Sequence, residues 1–399
     1  MKNFLKFSAC FLGFGVFLLF FGCSNGINPG SGNNSEPANT HVFVFGNYED
    51  PPGTPTNSNL NHSKWFAYYW EDGNKNPLLA NGAGGISVHD VAVVGNTRYE
   101  AGEYWSYDNS DIEYGDEACY WVNEGGCKVI CEGCAIAITA TSSNNVFVLG
   151  HDYKRNPDGN YPYWYCNVNT PDSQTKLTLP IGDSLNPKYP PRAIAINGAH
   201  IYIVGSYTQP NGEFKACYWD NGAFTPLPSD GQARAYDVAV QDNKVYITGQ
   251  AIDNGNGWNA CYWENTGGEW QPLIDLTNIS DTGNIIEAGR ADVVTIANSQ
   301  LYIGGSYSST GQNKKACYWD PQGATTSPIP PHDFSPAVQG DAFIHAIAVS
   351  GSTVYAAGEY YTDASQEDGP GNICYWIGNK LQSLGDMVTE ICGITVVTQ

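Results

Sequence analysis

One four-residue pattern governs what this chain can fold into. Ala118-Cys119-Tyr120-Trp121 recurs as Ala216-Cys217-Tyr218-Trp219, Ala260-Cys261-Tyr262-Trp263, Ala316-Cys317-Tyr318-Trp319 and Ile373-Cys374-Tyr375-Trp376. Weaker copies stand at Ala67-Tyr68-Tyr69-Trp70 and Tyr163-Trp164-Tyr165-Cys166. The intervals between the last residues of successive copies are 51, 45, 53, 44, 56 and 57. Such a period suits a four-stranded propeller blade and exceeds the common helical repeats. Ahead of each copy stand two alternating apolar runs joined by a short polar turn, as in residues 193–205 and 237–249. Alternation around Asn-Gly or Asp-Asn is a β-hairpin signal. A turn such as Asp220-Asn221-Gly222 then leads to a short fourth strand.

The units are out of phase with the ends of the chain. The first copy begins at a second strand, residues 41–46, and an unaccompanied first strand, residues 393–397, comes last. One completes the other. The expected architecture is all-β: a seven-bladed β-propeller of four-stranded antiparallel blades over residues 41–399. Pairing of the two terminal strands closes the ring and leaves no unpaired edge. With blade 1 starting near residue 85, the shared unit is blade 7. Composition agrees, because 45 Gly, 26 Tyr and 11 Trp beside two Met describe turns and aromatic strands rather than helices. Forty acidic against 18 basic residues, a net charge of −22, exclude a nucleic-acid partner, since nothing here neutralises a run of phosphates.

Residues 1–22 read as a signal peptide: Lys2 and Lys6 flank the start of an apolar run, residues 7–21, that ends in Gly22-Cys23. The run is shorter than the ~20 residues of a spanning helix. It resembles the bacterial lipoprotein signal, with Phe20 where Leu is usual. The resemblance implies lipidation of Cys23, membrane attachment through that lipid and, with Ser24 in place of Asp, placement at the outer membrane or cell surface of a bacterium. Residues 23–40 carry no apolar pattern and read as the lipidated cysteine and a flexible tether. The repeat core of Ala-Ile-Ala run, Gly-Ser-Tyr loop and Ala-Cys-Tyr-Trp strand is similar to the HAF-type repeats of exported bacterial proteins. That likeness implies architecture and export, and no activity.

Five cysteines, Cys119, Cys217, Cys261, Cys317 and Cys374, fill one slot of the third strand, on the same face as the tryptophan two residues on. Blade 2 exchanges the two, with Trp164 in the cysteine slot and Cys166 in the tryptophan slot. Stacked sheets lie ~10 Å apart, beyond the ~7 Å reach of a disulfide, so these read as buried thiols. Cys127, Cys131 and Cys134 form C-x3-C-x2-C between blades 1 and 2, and an exported chain makes an internal disulfide the expectation there. A metal would need donors from elsewhere. Aligning the residue before each inner strand gives His89, Cys134, Arg192, Tyr236, Ala291, His345 and Cys392, so that His345, Cys392, His89 and Cys134 fall on four consecutive blades. Four positions spread round a ring seldom converge on one ion, and neither metal nor cofactor is expected.

Long loops, 47–64, 103–117, 151–162, 276–291 and 359–372, share one face, the expected binding surface. Tyr48, Tyr104, Tyr207, Tyr307 and Tyr360 recur two residues after the glycine that ends strand two, with Tyr153 shifted by one, as stacking platforms or as shared packing. Asp108, Asp111, Glu113, Asp116 and Glu117 crowd one loop and read as solvated. Asp90, Asp237 and Asp292 begin inner strands, where they cap amides or serve as acid and base. The chain holds no H-E-x-x-H, G-x-S-x-G or Walker loop. The expectation is a monomeric, non-catalytic propeller that offers its long-loop face to a protein or glycan. The alternative is a polysaccharide hydrolase or lyase using Asp90, Asp237, Asp292 and His89 at the channel.

Overall fold

Alternating runs pair as the hairpins their turns require. A computed structural model of the chain describes residues 40–50, 64–79, 85–107, 113–123, 125–155, 161–180, 183–185, 190–252, 257–277, 286–309, 311–321, 329–334, 340–362, 371–384 and 390–398. The signal segment, Cys23, the tether, Asp108, Asp111 and much of the long loops lie outside them. The described secondary structure is entirely β, and it forms seven antiparallel sheets. The innermost strands of blades 1 to 7 are Gly85–Val94, Cys134–Ser142, Ala193–Asn197, Ala233–Gln241, Ile286–Ala297, Ala342–Ser350 and Glu390–Thr398. These seven neighbour one another in cyclic order, with the seventh also beside the first, so the sheets stand around a channel.

Blade 7 is built from both ends. Thr40–Asp50 pairs with Glu390–Thr398 on one edge and with Lys64–Glu71 on the other, in register from Thr40↔Thr398 to Asn47↔Glu390. Two blades carry a broken strand. In blade 3 the inner strand is interrupted at Pro190-Pro191, which have no N–H to donate, and Ser184–Leu185 resumes its place against Thr208 and Tyr207. In blade 4 the outer strand is split into Glu269–Trp270 and Ile274–Asp275.

Seven apolar cores fill the seven gaps between blades. The repeated tryptophans, Trp70, Trp121, Trp164, Trp219, Trp263, Trp319 and Trp376, are the largest fully buried side chains. Where the indole finds a partner it ties blade to blade: Trp121, Trp219 and Trp263 donate to the carbonyls of Leu79, Thr178 and Pro228, each just past the outer strand of the preceding blade. The five slot cysteines show no exposed surface. Trp164 lies opposite Gly150, the place that Cys217 takes opposite Gly205, so the exchange in blade 2 is real.

The glycine closing strand two is demanded by its neighbour. A Cβ on Gly102 would stand 1.9 Å from the Ser87 carbonyl oxygen, and on Gly249 1.9 Å from that of Arg234. There the inner strand kinks: Val88 and Asp90 face consecutive residues of strand two, leaving His89 as an extra residue, and Ala235 and Asp237 leave out Tyr236 in the same way. Equivalent bulges leave out Ile136, Asp292, His345 and Cys392. Repetition of the glycine is thus the imprint of a repeated bulge.

The next residue is polar in every blade, Asn47, Glu103, His151, Ser206, Gln250, Ser306 and Glu359, and in several it latches the following blade. Asn47 accepts the Val88 N–H and donates to the Val88 carbonyl, both at 2.8 Å, from blade 7 to blade 1. Ser206 accepts the Ala235 N–H, and Gln250 donates to the Gly289 carbonyl.

Candidate functional site

A bulge re-aims its extra residue, and here each blade aims one at the same place. His89, Ile136, Arg192, Tyr236, Asp292, His345 and Cys392 all line a single cavity of about 210 Å³ at the channel mouth. In blade 3 Arg192 holds the position just ahead of the strand, its N–H donating to the Val204 carbonyl. The framework beneath repeats, while these side chains differ from blade to blade. The bulge also corrects the sequence alignment. Ile136, not Cys134, is the channel residue of blade 2, and Asp292, not Ala291, is that of blade 5, because an unpaired residue shifts the count.

Asp90 and Asp237 are equivalent; Asp292 stands one place earlier on its blade. Asp90 accepts the N–H of Val91 at 2.7 Å and of Ile138, on the next blade, at 2.8 Å. Asp237 does the same for Val238 and Val294, both at 2.8 Å. Each carboxylate staples two neighbouring inner strands, the capping role. Desolvation in the channel wall pushes Asp90 up to about 7 and Asp237 up to about 6, against the lowering effect of those amides. Asp292 instead pairs with the Arg290 guanidinium.

Positive charge is concentrated on one side. Three of the chain's five arginines, Arg192, Arg234 and Arg290, sit on blades 3, 4 and 5 around Tyr236. The Tyr236 ring lies between two guanidiniums, 5.1 Å from that of Arg192 and 4.6 Å from that of Arg290, and its hydroxyl donates to Gln250. Arg192 is exposed to the channel and ion-paired to none of the described residues.

The other side carries His89, Glu103 and Cys134. His89 Nε2 lies 3.4 Å from Glu103 Oε1, the Cys134 thiol hydrogen-bonds the same carboxylate, and the Tyr153 hydroxyl donates to Glu103 Oε2. Burial opposes the charge on Glu103, but His89, Tyr153 and Cys134 outweigh it and hold the carboxyl below its usual range. Burial likewise opposes a charged His89, and the Glu103, Glu390 and Asp90 carboxylates outweigh it and raise its pKa. Burial drives the Cys134 thiol well up. The two histidines and two cysteines of consecutive blades do not converge: Cys392 Sγ accepts from the Asn47 amide, and His345 Nε2 pairs with Glu359. His89 and Cys134 meet through Glu103, which sequence reasoning missed although the polar residue after each strand-two glycine marked its position.

The three clustered cysteines separate. Cys119 faces Val129 and Ala118 faces Cys131, so the strand Lys128–Glu132 has an irregularity at Ile130. That shift sends Cys127 into the core against blade 7 and Cys131 toward blade 2. All three are free thiols, contrary to the expected disulfide. The recurring tyrosines also do packing work: Tyr207 is buried edge-on against Phe224, Tyr48 stacks on Phe66, and Tyr104, Tyr307 and Tyr360 pack against interblade cores. Only Tyr153, the one out of step, reaches the channel cluster. Of the acidic loop, Asp116 and Glu117 are described and partly buried.

No family profile and no curated protein matches this chain. Among solved structures, it is similar to a puromycin-hydrolyzing peptidase of Mycobacterium tuberculosis, with a TM-score of 0.52 and 11% identity over 87% of this chain and 52% of that one. It is similar also to an acylaminoacyl peptidase in complex with Z-Gly-Gly-Phe-chloromethyl ketone, with a TM-score of 0.50 and 10% identity over 88% and 51%. The likeness is one of fold alone. The chain spans about half the length of these peptidases.

Proposed function

We propose that this chain is an envelope receptor, anchored to the outer membrane or cell surface through a lipid on Cys23, whose propeller mouth holds a carboxylate-bearing glycan or protein. The observation that carries this reading is Arg192: a guanidinium ion-paired to none of the described residues, set on the Tyr236 ring inside a cavity of an otherwise acidic protein. A planar fork of N–H donors in a partly desolvated pocket suits a carboxylate. The stapling bonds of Asp90 and Asp237 favour binding over acid–base work.

The mature chain from Cys23 is to be screened against acidic glycans, their neutral counterparts, and peptides with free or amidated C-termini. Acidic members are expected to bind, with Arg192→Ala weakening them at least about 10-fold and leaving the melting temperature unchanged. Equal binding of neutral members, or full binding by Arg192→Ala, overturns the reading. The polysaccharide-cleaving alternative draws on the same channel, where burial raises Asp90 to about 7 and Asp237 to about 6; release of reducing ends that is lost in Asp90→Asn would favour it instead.

A further inference from the structure

The junction of blades 1 and 2 gathers three different donor atoms that carboxylate binding does not use. His89 leaves its strand at the bulge, Glu103 follows Gly102 on the second strand of the same blade, and Cys134 opens the inner strand of blade 2. One ligand atom from each lies within 4.8 Å of the other two. The backbone reaches this approach because Gly133 has no side chain: its φ is +132°, and a Cβ there would stand 2.2 Å from the His151 carbonyl oxygen. His89 Nε2 is shielded from water, and its contact with Glu103 Oε1, at 3.4 Å, is long for a hydrogen bond. Two ligands ~2.0 Å from one tetrahedral zinc ion stand about 3.3 Å apart, so this pair is already at coordination spacing.

We propose that His89 Nε2, the Glu103 carboxylate and Cys134 Sγ form a binding site for a divalent cation of the zinc class, with the fourth position left to a non-protein ligand. One imidazole, one carboxylate and one thiolate select such an ion over calcium or magnesium, which take oxygen donors. Three protein ligands with one open position is the arrangement of reactive or ligand-receiving zinc rather than of closed structural sites. Tyr153 completes the surroundings: its hydroxyl holds Glu103 Oε2 and leaves Oε1 facing His89. Binding converts the Cys134 thiol to a thiolate and releases its proton to solvent. Blade 6 repeats the histidine–carboxylate pair as His345 and Glu359, again at 3.4 Å, but the residue of blade 7 corresponding to Cys134 is Glu390, so the thiol joins such a pair only between blades 1 and 2.

The test is a titration of the reduced, chelator-treated mature chain with Co2+, followed by Zn2+. One Co2+ per chain is expected, with thiolate-to-cobalt charge-transfer absorption, displaced by one Zn2+. Cys134→Ser is expected to abolish that absorption, and His89→Gln and Glu103→Gln to weaken uptake at least about 100-fold, with Tyr153→Phe costing about 10–100-fold. Cys392→Ser, His345→Gln and Arg192→Ala are expected to leave stoichiometry and spectrum unchanged, which separates this site from carboxylate binding. The spectrum of the unaltered chain decides even where a variant misfolds: absence of stoichiometric uptake, or uptake without thiolate absorption, overturns the proposal. So does absorption that survives Cys134→Ser or vanishes in Cys392→Ser.

Discussion

A chain ending at residue 389 is expected to lose cooperative folding of the whole propeller, not of one blade. Residues 390–398 provide the inner strand of blade 7, and their loss strips Thr40–Asp50 of a ladder running from Thr40 to Asn47. Ile391 and Ile394, 5% and 7% exposed, leave the core they share with Val42, Val44 and Trp70. At roughly 1.5–3 kcal/mol for each buried side chain, those two alone approach half of a total stability on the order of 5–15 kcal/mol. Blades 6 and 1 also lose the strand that stands between them. Urea unfolding followed by tryptophan fluorescence measures the effect. Thr398 lies beside Thr40 in antiparallel register, so a chain carrying residues 390–398 ahead of residue 40 through a two-residue Asn-Gly turn is expected to recover a single wild-type-like transition. Wild-type unfolding by the truncated chain, or no recovery in the rearranged one, would show that closure is made elsewhere.

Gly249→Ala is expected to destabilise the protein by about 3 kcal/mol or more, the upper range for forcing atoms into packed space. The new methyl would stand 1.9 Å from the Arg234 carbonyl oxygen and 3.1 Å from the Trp263 ring. Neither yields readily: Arg234 is paired in the sheet and Trp263 has no exposed surface. Relief requires the inner strand to give up the bulge that aims Tyr236 at the channel, so Arg192 loses the ring it rests on. The same titration in urea reads the loss. Stability within about 0.5 kcal/mol of wild type, the range of substitutions that touch nothing, would mean that the glycine is not the complement of the bulge.

Much of this fold is legible in the residues. The period of the Ala-Cys-Tyr-Trp strand, the paired alternating runs and the half-unit at each end point to seven blades and their closure, because each reports a local rule that the packing obeys. The exchange of Trp164 and Cys166 is legible for the same reason. What does not show is where a strand departs from alternation. The extra residue at each inner-strand bulge misplaces Ile136 and Asp292 by one or two positions. The irregularity at Ile130 sends Cys127 and Cys131 to different sides although they stand four positions apart, an even spacing that alternation would put on one face. Both are decided by backbone contact across strands, which period-two reasoning does not see. The channel site suffers most, since it is made of the bulge residues. Glu103 is instructive: the polar residue after the glycine recurs in all seven blades, yet Glu103 meets a thiol because Gly133 brings the next blade's strand against it.

The central claim is that the repeated third-strand thiols are walled in between stacked blades of a closed ring, while Cys392 lines the channel and Cys131 lies partly open on the outer strand of blade 1. Mapping alkylation of native residues 24–399 by mass spectrometry, without reductant or denaturant, tests it most directly. Cys119, Cys166, Cys217, Cys261, Cys317 and Cys374 have at most 1% exposure, whereas Cys131 and Cys392 are partly open. The expected result is modification confined to Cys131 and Cys392, with the six third-strand cysteines reacting only after denaturant is added. Modification of those six in the native chain at the rate of Cys131 would contradict the closed, stacked ring.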